Sequence, residues 1–263
     1  MSFQLKALNI VCSQTELSKI PDGKVLINTI NAHSFNVAQK DEVFAEALST
    51  IENGKWRNEH EEGYVKYLIP DGAGIVMACQ WLKTKSQPKE RIAGWDLFAF
   101  EMQRQNEKGE RRQEKCRVMF LGSNNKVLSS IRERVAVDYP NLEVVTYSPP
   151  YKPAFSDEDN KEMIQAINKA NPDLLWIGMT APKQEKWTYQ HWKELDIHCH
   201  VGTIGAVFDF YAGTVKRAPL WWQKHSMEWL YRLLFEPKRM WRRYVIGIPL
   251  FLWNILKEKI GKK

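Results

Sequence analysis

The sequence lacks the features of a secreted, disulfide-bonded or membrane-spanning protein. Its four cysteines lie far apart without paired spacing, which predicts reduced thiols in a cytoplasmic protein rather than a disulfide or zinc framework. The segment MSFQLKALNI has no long apolar run behind a basic start, so no signal peptide is expected. The apolar run at 245–256 has twelve residues, whereas a helix needs about 20 to span a bilayer.

Familiar nucleotide-binding signatures and signs of a multidomain chain are also missing. The sequence contains neither the GxGxxG nor the P-loop pattern, and it has no internal repeat or low-complexity linker. The hydrophobic content of 44% over 263 residues is enough for a full core. The length therefore predicts one large domain, or one domain with an appendage.

The positive charge is concentrated at one end of the chain. Residues 214–263 contain twelve Lys or Arg and three Glu, whereas the rest of the chain is slightly acidic. A basic tail of this kind indicates an anionic partner, such as lipid head groups, phosphates or nucleic acid.

Short apolar runs alternate with segments of helical spacing. This alternation predicts a Rossmann-like α/β fold with a mostly parallel sheet and helices on both faces. The predicted strands are 24–30, 66–70, 116–122, 142–147, 173–179 and 198–205. The predicted helices are 41–51, 73–82, 126–139 and 157–170.

Two polar stretches and the Trp-rich tail complete the chain. The stretches 52–66 and 106–115 are predicted to be surface loops. In the tail, Pro237 is predicted to start a second helix. The run 245–256 lies between basic segments, which favours a helix at a membrane interface; the alternative is a tail helix docked on the core.

Candidate site residues follow the predicted strands, because ligands of a parallel sheet bind beyond its carboxyl ends. Asp71 lies between Pro70 and Gly72 at such a strand end, where it is either a local turn acceptor or a reactive group. The other candidates are Thr29, Asn31, Gly122, Lys183, Gln184 and Asp209.

These residues also have structural interpretations. Thr29 and Asn31 could cap the next helix, and Gly122 followed by Ser123 is a weak phosphate signal. Lys183 could be an exposed lysine in the first turn of a helix. The residues alone therefore support a nucleotide-binding α/β protein and no particular reaction.

The ordered set of motifs resembles the WecG/TagA/CpsF glycosyltransferases, glycosyltransferase family 26. The resemblance covers about residues 24 to 250. The matching motifs are NTIN (28–31), PDGAGIV (70–76), RIAGWDLF (91–98), FLGS (120–123), APKQEKW (181–187), GAVFDFYAGTVKRAP (205–219) and EWLYRLLFEPKRMWRRY (228–244).

The resemblance implies transfer of a sugar from a UDP-sugar to an undecaprenyl-diphosphate-linked saccharide in cell-surface polysaccharide synthesis. It implies inversion at the anomeric carbon, no metal or other cofactor, and a peripheral position on the cytoplasmic face of the cell membrane. It further implies a catalytic core over 1–212 and a C-terminal appendage over 213–263 that contacts the membrane.

The resemblance also assigns roles to residues. Asp71 is the expected general base, and an inverting reaction needs such a group to deprotonate the attacking hydroxyl. Arginines are the expected partners of the departing diphosphate: Arg232 first, then Arg239 or Arg242, although solvated surface or lipid contact is an alternative. Thr29 and Asn31 are expected near the donor sugar and diphosphate. Gly122 and Lys183 are expected near phosphate, and Gln184 and Asp209 near the nucleoside.

Some features leave alternatives open. The 52–66 loop is longer than expected for the family. After the fourth predicted strand, many members have a GYF-like segment where this chain has SPPYKPAF, so Tyr151 is a candidate replacement for the usual aromatic ring. A catalytically silent UDP-sugar-binding subunit is the second reading of the sequence. Nucleic-acid binding by the Trp- and Arg-rich tail is a third that we do not expect. The donor sugar, the acceptor and the oligomeric state, including a homo-oligomer, stay open.

Overall fold

Six parallel β-strands form the centre of the computed structural model, which describes residues 3–49, 65–219, 221–222 and 227–261. The strands pair in the order β2-β1-β6-β5-β3-β4, and every neighbouring pair is parallel. Their bounds are β1 Val25–Ile30, β2 Val65–Pro70, β3 Cys116–Gly122, β4 Leu142–Tyr147, β5 Leu174–Gly178 and β6 His200–Thr203. The predicted parallel α/β fold is confirmed.

Helices connect the strands and continue after the last of them. The core helices are α1 Ala32–Ala38, α2 Glu42–Leu48, α3 Ala73–Leu82, α4 Gly94–Arg112, α5 Asn125–Asp138, α6 Asp157–Ala170, α7 Lys183–Gln190 and α8 Gly205–Tyr211. The tail contains α9 Glu228–Phe235, α10 Pro237–Trp241, a π-helical turn Arg242–Ile246 and α11 Gly247–Ile260. Short 3₁₀ turns lie at Leu5–Ala7, Gln14–Lys19 and Trp192–Glu194.

The prediction of a surface loop at 106–115 is wrong. Residues up to Arg112 belong to the 19-residue helix α4. Its inner face buries Leu97, Phe98 and Met102 in the core. The second half of α4 is almost entirely polar in sequence, so its apolar stripe ends before residue 106 and the helix has no periodic signal there. The other stretch, 52–66, lies almost entirely outside the described residues.

The two faces of the sheet bury different helices. Side chains alternate along β5, so Trp176 points to one face and Ile177 to the other. Trp176 packs in a cluster with residues of α4, α5 and α8, including Phe208. Ile177 packs in a second cluster with residues of α6 and α7, including Trp187. The sheet is therefore covered on both sides, which agrees with its continuously apolar central strands.

The final helix packs onto the core beside β1 and β2. Phe251 and Ile255 of α11 are buried in a third cluster that includes Phe35 of α1 and Ile75 of α3. The rings of Phe251 and Phe35 meet edge to face, with centroids 5.6 Å apart. The tail helix is thus docked on the core, while its opposite side carries exposed apolar residues such as Trp253.

Polar contacts fix the docked helix at both ends. The carboxylate of Glu258 accepts hydrogen bonds from the backbone N–H groups of Leu5 and Lys6, at 2.9 and 2.7 Å. Nearer the start of α11, the side-chain amide of Asn36 donates to the carbonyl oxygen of Gly247 at 2.7 Å. These bonds hold the preceding π-helical turn close to the carboxyl ends of the strands.

Candidate active site

Asp71 lies at the carboxyl end of β2, in a turn that joins the strand to α3. Its backbone N–H donates to the carbonyl oxygen of Ile30 at 2.8 Å, which ties the turn to the end of β1. Gly72 has φ of +137°, a conformation that L side chains rarely adopt. Asp71 is a half-buried residue at the boundary between the core and the solvent. The turn therefore presents a carboxylate at the ligand-binding edge of the sheet.

Opposing influences act on the pKa of Asp71. Burial raises it above its ordinary value and is the largest influence. The positive charges of Arg91 and Arg243 lower it, whereas the negative charges of Glu228 and Asp96 raise it. The net shift is upward. Asp71 is therefore a stronger base than a solvated aspartate, and two arginines lie near enough to influence its charge.

Arg91 reaches this place through the segment that precedes α4. The N–H of Ile92 donates to the carbonyl oxygen of Pro70 at 3.0 Å, so the segment runs beside the end of β2. A guanidinium nitrogen of Arg91 lies 3.3 Å from a carboxylate oxygen of Glu228, and Arg217 lies 3.8 Å from the other oxygen. The ion pair joins the first turn of α9 to the core. No residue of the 91–98 motif was singled out from the sequence, although Arg91 is its first residue.

The π-helical turn brings Arg243, rather than Arg242, toward Asp71. Arg243 is partly buried, and it influences the charge states of both Asp71 and His33. Burial, followed by the charge of Arg243, lowers the pKa of His33 to about 4. By contrast, Arg242 is exposed, and its guanidinium carbon lies 5.4 Å from the centroid of the Trp241 ring. The predicted contact of Arg242 with the diphosphate stays a prediction, and Arg243 is an additional arginine that the sequence analysis did not name.

Arg232 lies on α9 and faces the core helix α8. Its guanidinium carbon is 5.8 Å from the centroid of the Phe210 ring. Its Nε atom is buried and has no hydrogen-bond partner within the described parts of the chain. A buried N–H of this kind is suited to donate a hydrogen bond to a ligand oxygen. The side chain of Arg239, the other predicted arginine, lies outside the described part of the structure.

Comparison with known proteins adds a decisive observation to this geometry. The sequence model described as the Glycosyl transferase WecG/TagA/CpsF family matches residues 6–263. The chain belongs to this family. It is therefore a glycosyltransferase, as the ordered motifs indicated.

Curated members of the WecG/TagA/CpsF family resemble the chain over most of its length. A Bacillus subtilis (strain 168) protein is 29% identical over 90% of this chain and 81% of its own. A Bacillus spizizenii (strain ATCC 23059 / NRRL B-14472 / W23) protein is 31% identical over 87% and 81%. A Staphylococcus aureus (strain NCTC 8325 / PS 47) protein is 30% identical over 73% and 70%. All three are named N-acetylglucosaminyldiphosphoundecaprenol N-acetyl-beta-D-mannosaminyltransferase.

Asn31 caps the helix that follows it, as the structural alternative for this residue predicted. Asn31 is the N-cap of α1, and its side-chain oxygen accepts hydrogen bonds from the N–H groups of His33 and Ser34, each at 3.0 Å. Thr29 is partly exposed on β1, beside Ile69 of β2. Both residues lie at the same sheet edge as Asp71, and their contact with a donor sugar stays a prediction.

Gly122 ends β3 and is paired with Gly178 at the end of β5. It has φ of +130°, and a Cβ atom there would lie 2.2 Å from the carbonyl oxygen of Gly178. The following Ser123 also has positive φ and donates its N–H to that same oxygen at 3.1 Å. Gly122 is therefore required by close backbone contact, whether or not a phosphate binds there.

Gln184 is buried and its amide bonds within the protein. Its oxygen accepts from the N–H of Met179 at 3.0 Å and from that of Gly205 at 3.1 Å. Its nitrogen donates to a carboxylate oxygen of Glu185 at 2.8 Å. Gln184 thus joins the loop after β5 to the turn after β6. A role toward the nucleoside would be indirect, through the shape of these loops.

The three remaining candidates, Lys183, Asp209 and Tyr151, lie in different parts of the structure. The Nζ of Lys183 donates to the carbonyl oxygen of Lys152 at 2.6 Å and lies 3.4 Å from the centroid of the Phe155 ring. Asp209 lies on α8 rather than at a strand end, and its carboxylate accepts from the Thr214 hydroxyl at 3.4 Å. Tyr151 is fully exposed. Their roles in ligand binding stay predictions.

Glu185 follows β5 among the candidate polar residues and is a buried acid to which the sequence analysis assigned no role. Burial raises its pKa to about 7, and a hydrogen bond from Gln184 opposes that rise. Its Oε2 atom is buried without a hydrogen-bond partner in the described residues. Its signal in the sequence is weak, since a Glu in the first turn of a helix is ordinarily a solvated residue that favours the helix dipole.

Two features are absent from the residues that the structure describes. No group of three or more His, Cys, Asp or Glu in those residues is arranged to hold a metal ion. Among the same residues, no helix has both the length and the hydrophobicity to cross a membrane.

Proposed function

We propose that this glycosyltransferase moves N-acetylmannosamine from a UDP-sugar to N-acetylglucosaminyl-diphospho-undecaprenol, with inversion of the anomeric carbon. The observation that carries the proposal is Asp71: a half-buried acidic residue at a strand end, with a raised pKa and two arginines nearby. The donor sugar and the acceptor are taken from the names of the relatives, which are 29–31% identical.

In the proposed reaction Asp71 is the general base. Its carboxylate takes the proton of the acceptor hydroxyl as the oxygen attacks the anomeric carbon. The bond between that carbon and the UDP oxygen breaks, and UDP leaves with the bonding electrons. The raised pKa of Asp71 favours this step, because a base works best when its pKa approaches the working pH.

The departing diphosphate needs positive charge. Arg91 and Arg243 lie near Asp71, and Arg232 contributes a buried donor from α9. Guanidinium groups match the geometry of phosphate oxygens and hold a constant charge, so they stabilise the charge that develops on the leaving group. The family resemblance implies that the reaction needs no metal ion. Of the arginines predicted from sequence, Arg232 is the one that we retain first, with Arg239 and Arg242 still candidates.

The proposed place of the reaction is the cytoplasmic face of the cell membrane. The acceptor in the relatives' names is a lipid, so its sugar is presented at a bilayer surface. The chain's tail combines basic residues with exposed apolar side chains, including Leu234 and Phe235 of α9. Such a surface binds peripherally to anionic lipids. Appendage residues Arg232 and Arg243 would then contribute to the site where the lipid lies.

Replacement of the proposed base tests the reaction. We expect Asp71→Asn to lower kcat by about 10²- to 10⁴-fold, which is the typical contribution of a general base. The measurement is UDP release over a panel of UDP-sugars with N-acetylglucosaminyl-diphospho-undecaprenol in vesicles. Asp22→Asn is the control, because Asp22 is an exposed acid that pairs with Arg104 and Lys108 away from Asp71. Equal rates for Asp71→Asn and the wild type would rule out Asp71 as the base.

A further inference from the structure

Two neighbouring helices expose large apolar side chains on one surface, which we term the α3–α11 surface. It consists of Met77 and Trp81 on α3 and Leu252, Trp253 and Ile260 on α11. Their exposed fractions are 68%, 49%, 60%, 54% and 69%, respectively. Side chains of this size are usually covered, and several together mark an interaction site.

The two helices lie side by side and run in the same direction. Gly74, Met77 and Trp81 are spaced by three and four residues, so they share one stripe of α3. A Cβ atom at Gly74 would lie 3.6 Å from the Phe251 ring, near the start of α11. At the other end, the Nζ of Lys259 donates to the carbonyl oxygen of Trp81 at 2.6 Å. The α3 stripe is therefore bordered by α11 along its length.

Each exposed tryptophan on this surface has a lysine ammonium above its ring. The Nζ of Lys259 lies 5.5 Å from the centroid of the Trp81 ring, and the Nζ of Lys257 lies 5.4 Å from that of Trp253. Tryptophan rings with adjacent lysines are typical of the headgroup level of a bilayer, where the ring contacts acyl chains and the ammonium contacts phosphate.

The basic groups lie at one end of the surface. Lys83, which ends α3, is exposed, and Lys257 and Lys259 lie in the last turn of α11. Met77, Trp81, Leu252 and Trp253 precede these lysines along their helices, whereas Ile260 lies beside them at the end of α11. This distribution is complementary to a bilayer with anionic head groups, because the lysine ammonium groups can contact phosphate beside apolar side chains that contact acyl chains.

We propose that α3 of the core, together with α11, binds the surface of an anionic phospholipid bilayer. The inference extends the proposed function, on which it rests, by adding a core element to the membrane contact. Helix α3 begins two residues after Asp71. Membrane binding through α3 would therefore set the height of the general base above the bilayer, where the diphosphate and first sugar of a lipid-linked acceptor lie.

Charge substitutions on α3 test the inference. We expect Met77→Glu/Trp81→Glu to weaken partition into phosphatidylglycerol/phosphatidylcholine vesicles by about tenfold or more, because two acids enter the apolar contact and oppose the anionic lipids. The conservative pair Met77→Leu/Trp81→Phe should bind like the wild type. Val137→Glu is the matched control, since Val137 is 79% exposed on α5 and lies outside this surface.

The outcomes separate the inference from its alternatives. Co-sedimentation measures partition, and circular dichroism with thermal unfolding checks that each variant is folded. Equal partition of Met77→Glu/Trp81→Glu and Val137→Glu would overturn the inference. So would a change from dimer to monomer in analytical ultracentrifugation with unchanged partition, because a second copy would then be the occupant.

Transfer assays distinguish this inference from the proposed function. With a short-chain, water-soluble acceptor diphosphate, the α3 double-glutamate variant should keep the wild-type rate, whereas with a vesicle-bound acceptor its rate should fall. If no UDP-sugar supported transfer by the wild type while vesicle binding still depended on α3, the proposed function would fail and the inference would stand.

Discussion

At the scale of single residues, the site is organised around the charge of Asp71. Burial makes the ionised carboxylate less favourable, and Arg91 and Arg243 make it more favourable. The outcome is a carboxylate with a raised pKa beside cations that could hold a diphosphate. The same two arginines would therefore lower the pKa of the base and stabilise the charge on the leaving group. Substitution of Arg91 or Arg243 should alter the pH dependence of the rate.

The role of Arg91 is testable by its effect on the pH profile. The base must be ionised, so kcat/KM falls as the pH drops through the pKa of Asp71. Because Arg91 lowers that pKa, we expect Arg91→Met to move the acid limb of the profile to higher pH and to lower the maximal rate. Arg91→Lys keeps the charge and should leave the acid limb in place. An unchanged limb in Arg91→Met would show that Arg91 does not act on the base.

Glu185 should make the stability of the fold depend on pH. Its pKa is about 7 in the folded protein and 4.5 ordinarily. The folded state therefore binds the proton more tightly than the unfolded state does. The contribution is fully present below about pH 4.5 and is lost as the pH rises toward 7, by about 3 kcal/mol in total.

The variant Glu185→Gln isolates this contribution. Glutamine cannot ionise and has a shape similar to that of glutamate. The free energy of unfolding of the variant should therefore lack this pH dependence. Urea unfolding at pH 5 and pH 8 should show that the wild type loses about 2.5 kcal/mol more than the variant over this range. Parallel losses in both proteins would contradict a buried acid at residue 185.

At the scale of elements, the contact between β3 and β5 depends on Gly122. Alanine there would have both an unfavourable φ and a Cβ atom 2.2 Å from the Gly178 oxygen. Gly23 is a matched control, because it has φ of +120° and nothing within 4 Å of its Cβ position. We expect Gly122→Ala to lose about 2 kcal/mol more stability than Gly23→Ala in urea unfolding. Equal losses would mean that backbone conformation alone requires glycine at 122.

The elements also show how far the sequence predicts this fold. The bounds of β3 and β4 were predicted without error, because a buried parallel strand is a continuous apolar run between turn residues. Helix α4 was not predicted, and from Glu101 onward its buried stripe consists mainly of Glu101, Gln105 and Gly109 rather than large apolar residues. A hydrophobic pattern cannot indicate a helix face of that composition.

The same limit applies to the candidate site. Asp71 was predictable, since its place follows from the strand and the adjacent Pro and Gly. The position of Arg243 near Asp71 was not predicted, because a π-helical turn shifts the direction of each side chain relative to a regular α-helix. The inward orientation of Gln184 depends on Met179 and Gly205, which come together only in the folded sheet.

At the scale of the whole molecule, the division into a core and an appendage has an energetic consequence. The appendage over 213–263 stays a prediction, and the alternative of a docked tail helix describes α11, which buries Phe251 and Ile255 against Phe35 and Ile75. Helix α11 is therefore part of the hydrophobic interior on one side and carries exposed apolar residues on the other. Loss of α11 should uncover the third cluster, so folding of the core and placement of Arg243 are linked.

Substitutions on the two sides of α11 separate its structural role from its surface role. We expect Phe251→Ala to lower the free energy of unfolding by about 3–5 kcal/mol, as for other buried phenylalanines, because it leaves a cavity beside Phe35. Trp253→Ala, on the exposed side of the same helix, should change stability by less than about 0.5 kcal/mol while weakening vesicle binding. Urea unfolding and vesicle co-sedimentation measure the two effects. If Phe251→Ala were as stable as Trp253→Ala, α11 would not be part of the core. The π-helical turn that precedes α11 would then not be held near Asp71, as the proposed site requires.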